Sequence, residues 1–225
     1  MEASFVVEKL TQYVALLLAL CVHELAHAAS ARALGDTTAE EAGRLTLSPL
    51  AHADLLGTVV IPLVGLFGGG WLIGWARPTP VQPAKFRRGW YAKGQVLVAG
   101  MGPLSNLAQA LFWVGAHAAF ARLPLAPGAA ADLGGLAGRF IVASVFINLI
   151  LMGFNLLPVP PLDGSHVVSW ALPRPLAERY DQLVGKAGFF LLLLLIAPVV
   201  GGRSVVGLVL SPLLRAGDAL LRMVG

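Results

Sequence analysis

The chain has 225 residues, 57% of them hydrophobic and 12% charged, with a net charge of +4 and a mean hydropathy of +0.77. Soluble domains carry about 45–50% apolar and about 25% charged residues, so an ordinary water-soluble globule, a disordered tail and a charged nucleic-acid module are all excluded. The 16 Lys and Arg residues read instead as loop residues at a membrane surface, and the single cysteine, Cys21, excludes an intrachain disulfide.

A membrane span needs about 20 mostly apolar residues. The start does not read as a cleaved signal, because Glu2 and Glu8 stand against Lys9 and no small-residue cleavage site follows. Residues 11–34 form the first predicted span, apolar except for His23, Glu24 and His27 in its second half. Residues 55–76 are charge-free but broken by Gly65, Gly68, Gly69, Gly70 and Gly74. Such a segment either crosses or re-enters, and irregular backbone at membrane depth must be buried in protein or line a wet cavity. Residues 77–93 hold Arg77, Lys85, Arg87, Arg88 and Lys93, the densest basic cluster, so this loop reads as cytoplasmic. Re-entry of 55–76 also gathers Arg32, Arg44, Arg174 and Arg179 on that side, leaving Lys9, Arg122, Arg139 and Arg203 opposite. The charge bias thus favours re-entry. Spans follow at 94–121 and 140–162, the latter ending in Leu157-Pro158-Val159-Pro160-Pro161. A short apolar core at 187–202, extendable to Leu183, and a weaker stretch at 204–224 with Arg215 and Asp218 complete the set. The expectation is an all-α polytopic membrane protein of five to six transmembrane helices with a glycine-rich re-entrant or extended element. It reads as one domain over 1–225, with a core at 11–173, C-terminal spans within 183–224 and no soluble accessory domain.

The chemistry sits in His23-Glu24-Leu25-Ala26-His27. At positions i and i+4 of a helix, two imidazoles share one face and can grip one metal, with the glutamate beside them as general base. At this chain's own His and Glu frequencies a chance match is on the order of 0.3%. Ionisable residues inside a span are costly and mark function by default. A catalytic zinc takes a third protein ligand, and Asp54, Asp163, His52, His117 and His166 are the candidates. Asp163 stands out, because it follows the proline-broken turn and precedes Gly164, where freed backbone and a carboxylate at membrane depth call for a partner. Asn155, mid-span, suits either an oxyanion or substrate donor or an interhelical hydrogen bond. Asn106 reads mainly as helix–helix glue, and His166 as either a neighbour of the site or an interfacial residue.

His23-Glu24-Leu25-Ala26-His27 together with Asn155-Leu156-Leu157-Pro158-Val159-Pro160-Pro161-Leu162-Asp163-Gly164 resembles the site-2 protease family of intramembrane zinc metalloproteases. Gly102-Pro103-Leu104-Ser105-Asn106 resembles an element of that family's middle core helix. Arg44-Leu45-Thr46-Leu47-Ser48-Pro49-Leu50 and Gly74-Trp75-Ala76-Arg77-Pro78-Thr79-Pro80-Val81 resemble its small prokaryotic branch. Ser48 and Ser165 depart from that branch's usual residues without touching a presumed ligand. The resemblance covers 15–166. It implies one Zn2+ held by His23, His27 and Asp163, with Glu24 as general base and Asn155 and Asn106 as candidate oxyanion or substrate-binding residues. It further implies cleavage of transmembrane protein substrates, a prokaryotic plasma membrane, lipid contact, an active site toward the cytoplasm and control by substrate supply or a partner membrane protein.

Two other readings compete. A zincin cutting at the membrane surface would need a downstream glutamate as third ligand, and Glu178 is the only one beyond Glu41. A non-catalytic metal-binding membrane protein or transporter would need a string of polar residues through several spans, and the sequence shows one cluster.

Overall fold

The computed structural model describes residues 3–67, 74–123, 129–200 and 203–225. α1 (Ala3–Ala33) is 31 residues long, about 46 Å at the helical rise. It stops where Gly35 enters the left-handed region at φ +106°, with Gly35 N–H donating to Arg32 O and Asp36 N–H to Ala31 O. That pair of bonds is a Schellman motif, and glycine suits its left-handed position. Two short helices follow, α2 (Thr38–Glu41) and α3 (Pro49–His52), then a π-helical turn at Leu55–Val60 leading into α4 (Ile61–Phe67).

The segment 55–76 comes back on itself. Trp75 N–H donates to Gly57 O at 3.1 Å, and the Thr58 hydroxyl to Trp75 O at 2.9 Å. The Tyr13 hydroxyl of α1 donates to Thr58 O at 2.7 Å, which fixes both limbs against α1. The limbs at 57–58 and 75 therefore lie side by side. Gly68, Gly69, Gly70 and Trp71 fall outside the described residues.

Residues 74–82 then run extended along α1. Arg77 N–H donates to His52 O, Thr79 N–H to the Glu24 carboxylate and Gln82 N–H to the Asp36 carboxylate. Alternate residues of an extended chain present their backbone groups to one edge. Trp75, Arg77 and Thr79 therefore satisfy one edge of this strap against the 52–58 limb and α1.

α5 (Tyr91–Phe120) and α6 (Ala129–Asn155) complete a three-helix core with α1. Small residues let the backbones approach. Ala15, Ala19, Ala28 and Ala31 of α1 are buried, and a Cβ on Gly94 of α5 would meet Leu34 and Phe86. α1 and α5 run antiparallel, with Leu34 beside Gly94, His27 beside Val98 and Ala19 beside Gln109. α5 and α6 are antiparallel too, joined at Asn106–Asn148 and Trp113–Phe140. After the proline turn come α7 (Asp163–Ala171) and α8 (Arg174–Ile196). A two-stranded hairpin, β1 (Pro198–Val200) with β2 (Arg203–Ser204), leads to α9 (Val205–Val224), whose Leu210 meets Gly153 of α6.

Among the described residues, three helices are long and apolar enough to cross a membrane: Ser4–Ala33, Tyr91–Phe120 and Gly134–Asn155. The apolar part of α8 is shorter, Ala187–Ile196, and packs Leu192 against Val159 and Leu162 of the proline turn. α9 starts near the last turns of α6 and ends with Gly225 against His117 of α5. It therefore runs parallel to α5, and Arg203 lies at the same end of the bundle as the basic loop. That differs from the expected placement of Arg203, because α8 turns back beside the proline turn instead of carrying the chain across.

The Asp36 carboxylate staples the end of α1 to the strap. Burial alone would raise its pKa, but hydrogen bonds from the Thr38 hydroxyl, Gln82 N–H and Thr38 N–H outweigh burial and hold the group below the usual carboxylate range. A depressed folded pKa contributes stability above the ordinary carboxylate pKa and loses it as pH falls. Asp36→Ala should lower stability in detergent at pH 7 by about 1–3 kcal/mol, the cost of orphaned buried donors. In thermal melts the gap to wild type should shrink on acidification. Equal melting temperatures at pH 7 would contradict the staple.

Candidate metal centre

His23 and His27 lie one turn apart on α1, their rings edge-on with centroids 4.7 Å apart. Each Nδ1 is committed to an acceptor. His23 Nδ1 lies 2.6 Å from Asn106 Oδ1, and His27 Nδ1 lies 2.7 Å from Val98 O, both on α5. Those bonds put the proton on Nδ1 and leave each Nε2 with a free lone pair. The two Nε2 atoms are 3.0 Å apart and face Asp163 Oδ2 at 3.3 Å and 3.4 Å.

Asp163 reaches this point because the chain breaks. α6 ends at Asn155, the Leu156–Leu162 turn carries Pro158, Pro160 and Pro161, and α7 begins at Asp163 itself. Gly164 packs on the backbone of Leu156 and Leu157, where a Cβ would collide. The start of α7 is thereby pressed against the end of α6, and the carboxylate is directed at α1.

The donor set fits zinc. Two imidazole lone pairs and a carboxylate oxygen converge in a buried place, where they repel one another without a cation between them. Asp163 Oδ2 is itself buried and has no hydrogen-bond partner. For zinc–ligand bonds of about 2.0–2.1 Å, tetrahedral geometry separates ligand atoms by about 3.3 Å, close to the distances seen here. His23, His27 and Asp163 are the one group of three or more such side chains among the described residues with ligand atoms all within 4.8 Å.

Glu24 is buried on the same turn of α1. Its Oε2 accepts from Thr79 N–H at 2.8 Å and from the Thr79 hydroxyl at 2.7 Å. The strap thus pins the carboxylate beside the histidine pair.

The other sequence candidates lie elsewhere. His52 Nε2 engages Thr46 O, and Asp54 accepts from Leu56 and Gly57 N–H at the start of the π-turn. His117 sits beside Gly225, and His166 is exposed. Glu178 pairs with Arg174 on an exposed face, away from the histidines. Asn155 was expected as a donor toward the site or a neighbouring helix. Its Nδ2 donates to Leu151 O within α6, a bond that uses one of the two amide hydrogens. Asn106 is fully buried, with its oxygen toward His23 and its NH2 toward Asn148.

Sequence reasoning missed Thr79, Gly102 and Asn148. Asn148 carried a signal, an amide inside an otherwise apolar span. Gly102 stood in a recognised motif, but its reason is tertiary: a Cβ there would run into the His23 and His27 rings. Nothing local marks Thr79.

A profile described as Peptidase family M50 matches residues 121–195. The chain is 35% identical over 215 residues to "Putative zinc metalloprotease YwhC" of Bacillus subtilis, covering 93% of this chain and 89% of that protein. It is 31% identical over 186 residues to "Putative zinc metalloprotease Rip2" of Mycolicibacterium smegmatis, covering 82% of this chain and 66% of that protein. Rip2 of Mycobacterium tuberculosis H37Rv is 31% identical over 189 residues, with 83% and 66% covered. No solved structure matches the chain.

The cradle at Gly102 is testable without a substrate. Gly102→Ala should sharply reduce zinc per chain in detergent-purified protein while helicity by circular dichroism holds. Gly100→Ala, two residues away with open space around its Cβ position, should keep zinc and gain up to about 1 kcal/mol of helix propensity. Equal zinc in both variants would contradict the assignment.

Proposed function

The chain belongs to peptidase family M50, the site-2 protease family of zinc metalloproteases, and on that premise we propose that it hydrolyses peptide bonds in or near transmembrane segments of other membrane proteins. The observation that carries the reading is a buried Glu24 beside two histidines on α1, a helix apolar enough to cross a membrane, with the histidines' free nitrogens facing Asp163 of α7.

In this reading His23, His27 and Asp163 hold the zinc. When bound, zinc supplies Lewis acidity, which acidifies a water and polarises a carbonyl. Glu24 takes the proton from the attacking water and later delivers it to the leaving amine. Thr79 restrains the Glu24 carboxylate through Oε2 and leaves Oε1 for that proton. The buried α1–α5–α6 packing limits bulk water around the reacting groups.

A helical substrate hides its carbonyls in its own hydrogen bonds, so the substrate must unwind locally. The strap supports that step. One of its edges is consumed by Trp75, Arg77 and Thr79, and in an extended chain the opposite edge carries the carbonyls of Pro78 and Pro80, which an added substrate strand would use as acceptors. Membrane orientation follows from charge. Arg32, Arg44, Arg77, Lys85, Arg87, Arg88, Lys93, Arg174 and Arg179 gather at the end of the bundle nearer the metal centre, which supports an active site toward the cytoplasm of a prokaryotic plasma membrane. The chain acts as one membrane-embedded unit that meets lipid and substrate laterally.

Glu24→Gln should retain zinc and lose about 10²–10⁴-fold in cleavage of single-span reporter proteins co-reconstituted in liposomes, the usual worth of a general base. Asp163→Asn should lose both zinc and cleavage. Cleavage of the reporters by Glu24→Gln at the wild-type rate would refute the mechanism. Zinc transport across the liposome without any cleavage would favour the non-catalytic alternative.

A further inference from the structure

A file of buried amides leads away from His23 through two helices. His23 Nδ1 faces Asn106 Oδ1 at 2.6 Å, Asn106 Nδ2 donates to Asn148 Oδ1 at 2.9 Å, and Asn148 Nδ2 donates to Ser144 O at 2.9 Å. Asn106 and Asn148 are 0% and 1% exposed, so no water competes for these bonds.

The direction of every bond is determined. Ser144 O is a backbone carbonyl and can only accept, so the Asn148 NH2 must face it. Asn148 therefore turns its oxygen to α5, and Asn106 must present its NH2 there. Asn106 is left with only its oxygen for His23, and an oxygen accepts, so His23 must carry its proton on Nδ1. Reversing either amide would oppose two donors or two acceptors in a dry interior, where an unsatisfied polar group is costly. The tautomer that frees Nε2 for metal is thus dictated from Ser144, three hydrogen bonds away from His23.

We propose that Asn148 is a positioning residue for the metal centre, setting the tautomer and orientation of His23 through Asn106. The alternative role is mechanical: Asn106–Asn148 simply joins α5 to α6, as interhelical hydrogen bonds do in membrane bundles. The two roles separate in what they move. Mechanical glue changes stability alone. A positioning residue changes zinc affinity and the proton location on His23. The proposal rests on the ligand assignment above but not on any substrate.

The test uses the full chain in detergent, with zinc affinity read by competition against a chromophoric chelator. His23→Ala serves as the ligand control. Asn148→Leu, of similar size and without polar atoms, should weaken zinc binding about 10-fold or more, within the 10–100-fold range of outer partners of metal ligands. Asn148→Asp should rescue. A carboxyl this buried stays protonated, and its O–H and C=O reproduce the two bonds of the amide. On zinc-free protein, ¹⁵N shifts of the histidine rings should show His23 protonated at Nδ1 in wild type and Asn148→Asp, and a mixture of tautomers in Asn148→Leu. Where Asn148→Leu does not fold, Asn148→Ala is read in the same way.

Zinc affinity and His23 tautomer unchanged in the leucine or alanine variant, with only the melting temperature lowered, would overturn the proposal in favour of glue. Equal weakening in the leucine and aspartate variants would overturn it too. If His23→Ala leaves zinc affinity intact, the ligand assignment has failed, and that outcome is distinct from both.

Discussion

Three unshared electron pairs are held against one another out of water, and most of this structure exists to make that arrangement possible. Two Nε2 atoms and one carboxylate oxygen sit 3.0–3.4 Å apart, and a cation between them makes such a meeting favourable. The three come from two distant segments, so the chain between must bring them together. Small residues seat α1 close enough to α5 for both Nδ1 atoms to reach it. Gly102 leaves the imidazoles their room, and Gly164 lets the broken end of α6 press α7 toward α1. The cost of repulsion is met in advance by packing, which is how a site becomes preorganised for its metal.

Irregular backbone at membrane depth must find its hydrogen bonds within the protein. The strap at 74–82 does so on one edge. Trp75 and Arg77 use the carbonyls of Gly57 and His52, while Thr79 uses the carboxylate of Glu24. The last pairing ties backbone satisfaction to chemistry, because the acceptor that completes the strap is the group that would move protons.

The legible part of the site was the part carried by local spacing. A four-residue interval on a helix sufficed for His23 and His27, and a proline-broken apolar run drew attention to Asp163. The long core helices were equally plain, because about 20 apolar residues have few other uses. The adjacency of the two ends of 55–76, seen in the Gly57–Trp75 bond, agrees with the charge bias but could not be read from local sequence. Thr79 stood in a recognised segment but without a role, since a threonine between two prolines has no local mark of a contact 55 residues away. Asn155 and Asn106 were both recognised as unusual, yet their partners could not be read from sequence: one amide turns back on its own helix, the other reaches across two. The path of α8 was misread for a related reason. Its apolar half resembles half a span, and only its packing on Val159 and Leu162 reveals that the chain stays at one end of the bundle.

The central claim is that His23, His27 and Asp163 share one zinc. X-ray absorption at the zinc edge of the purified, zinc-loaded protein tests it most directly. The account predicts two imidazoles and oxygen ligands at about 2.0–2.1 Å with no sulfur in the coordination sphere. A zinc–sulfur distance of about 2.3 Å, which would implicate Cys21, or a shell containing no imidazole, would contradict it.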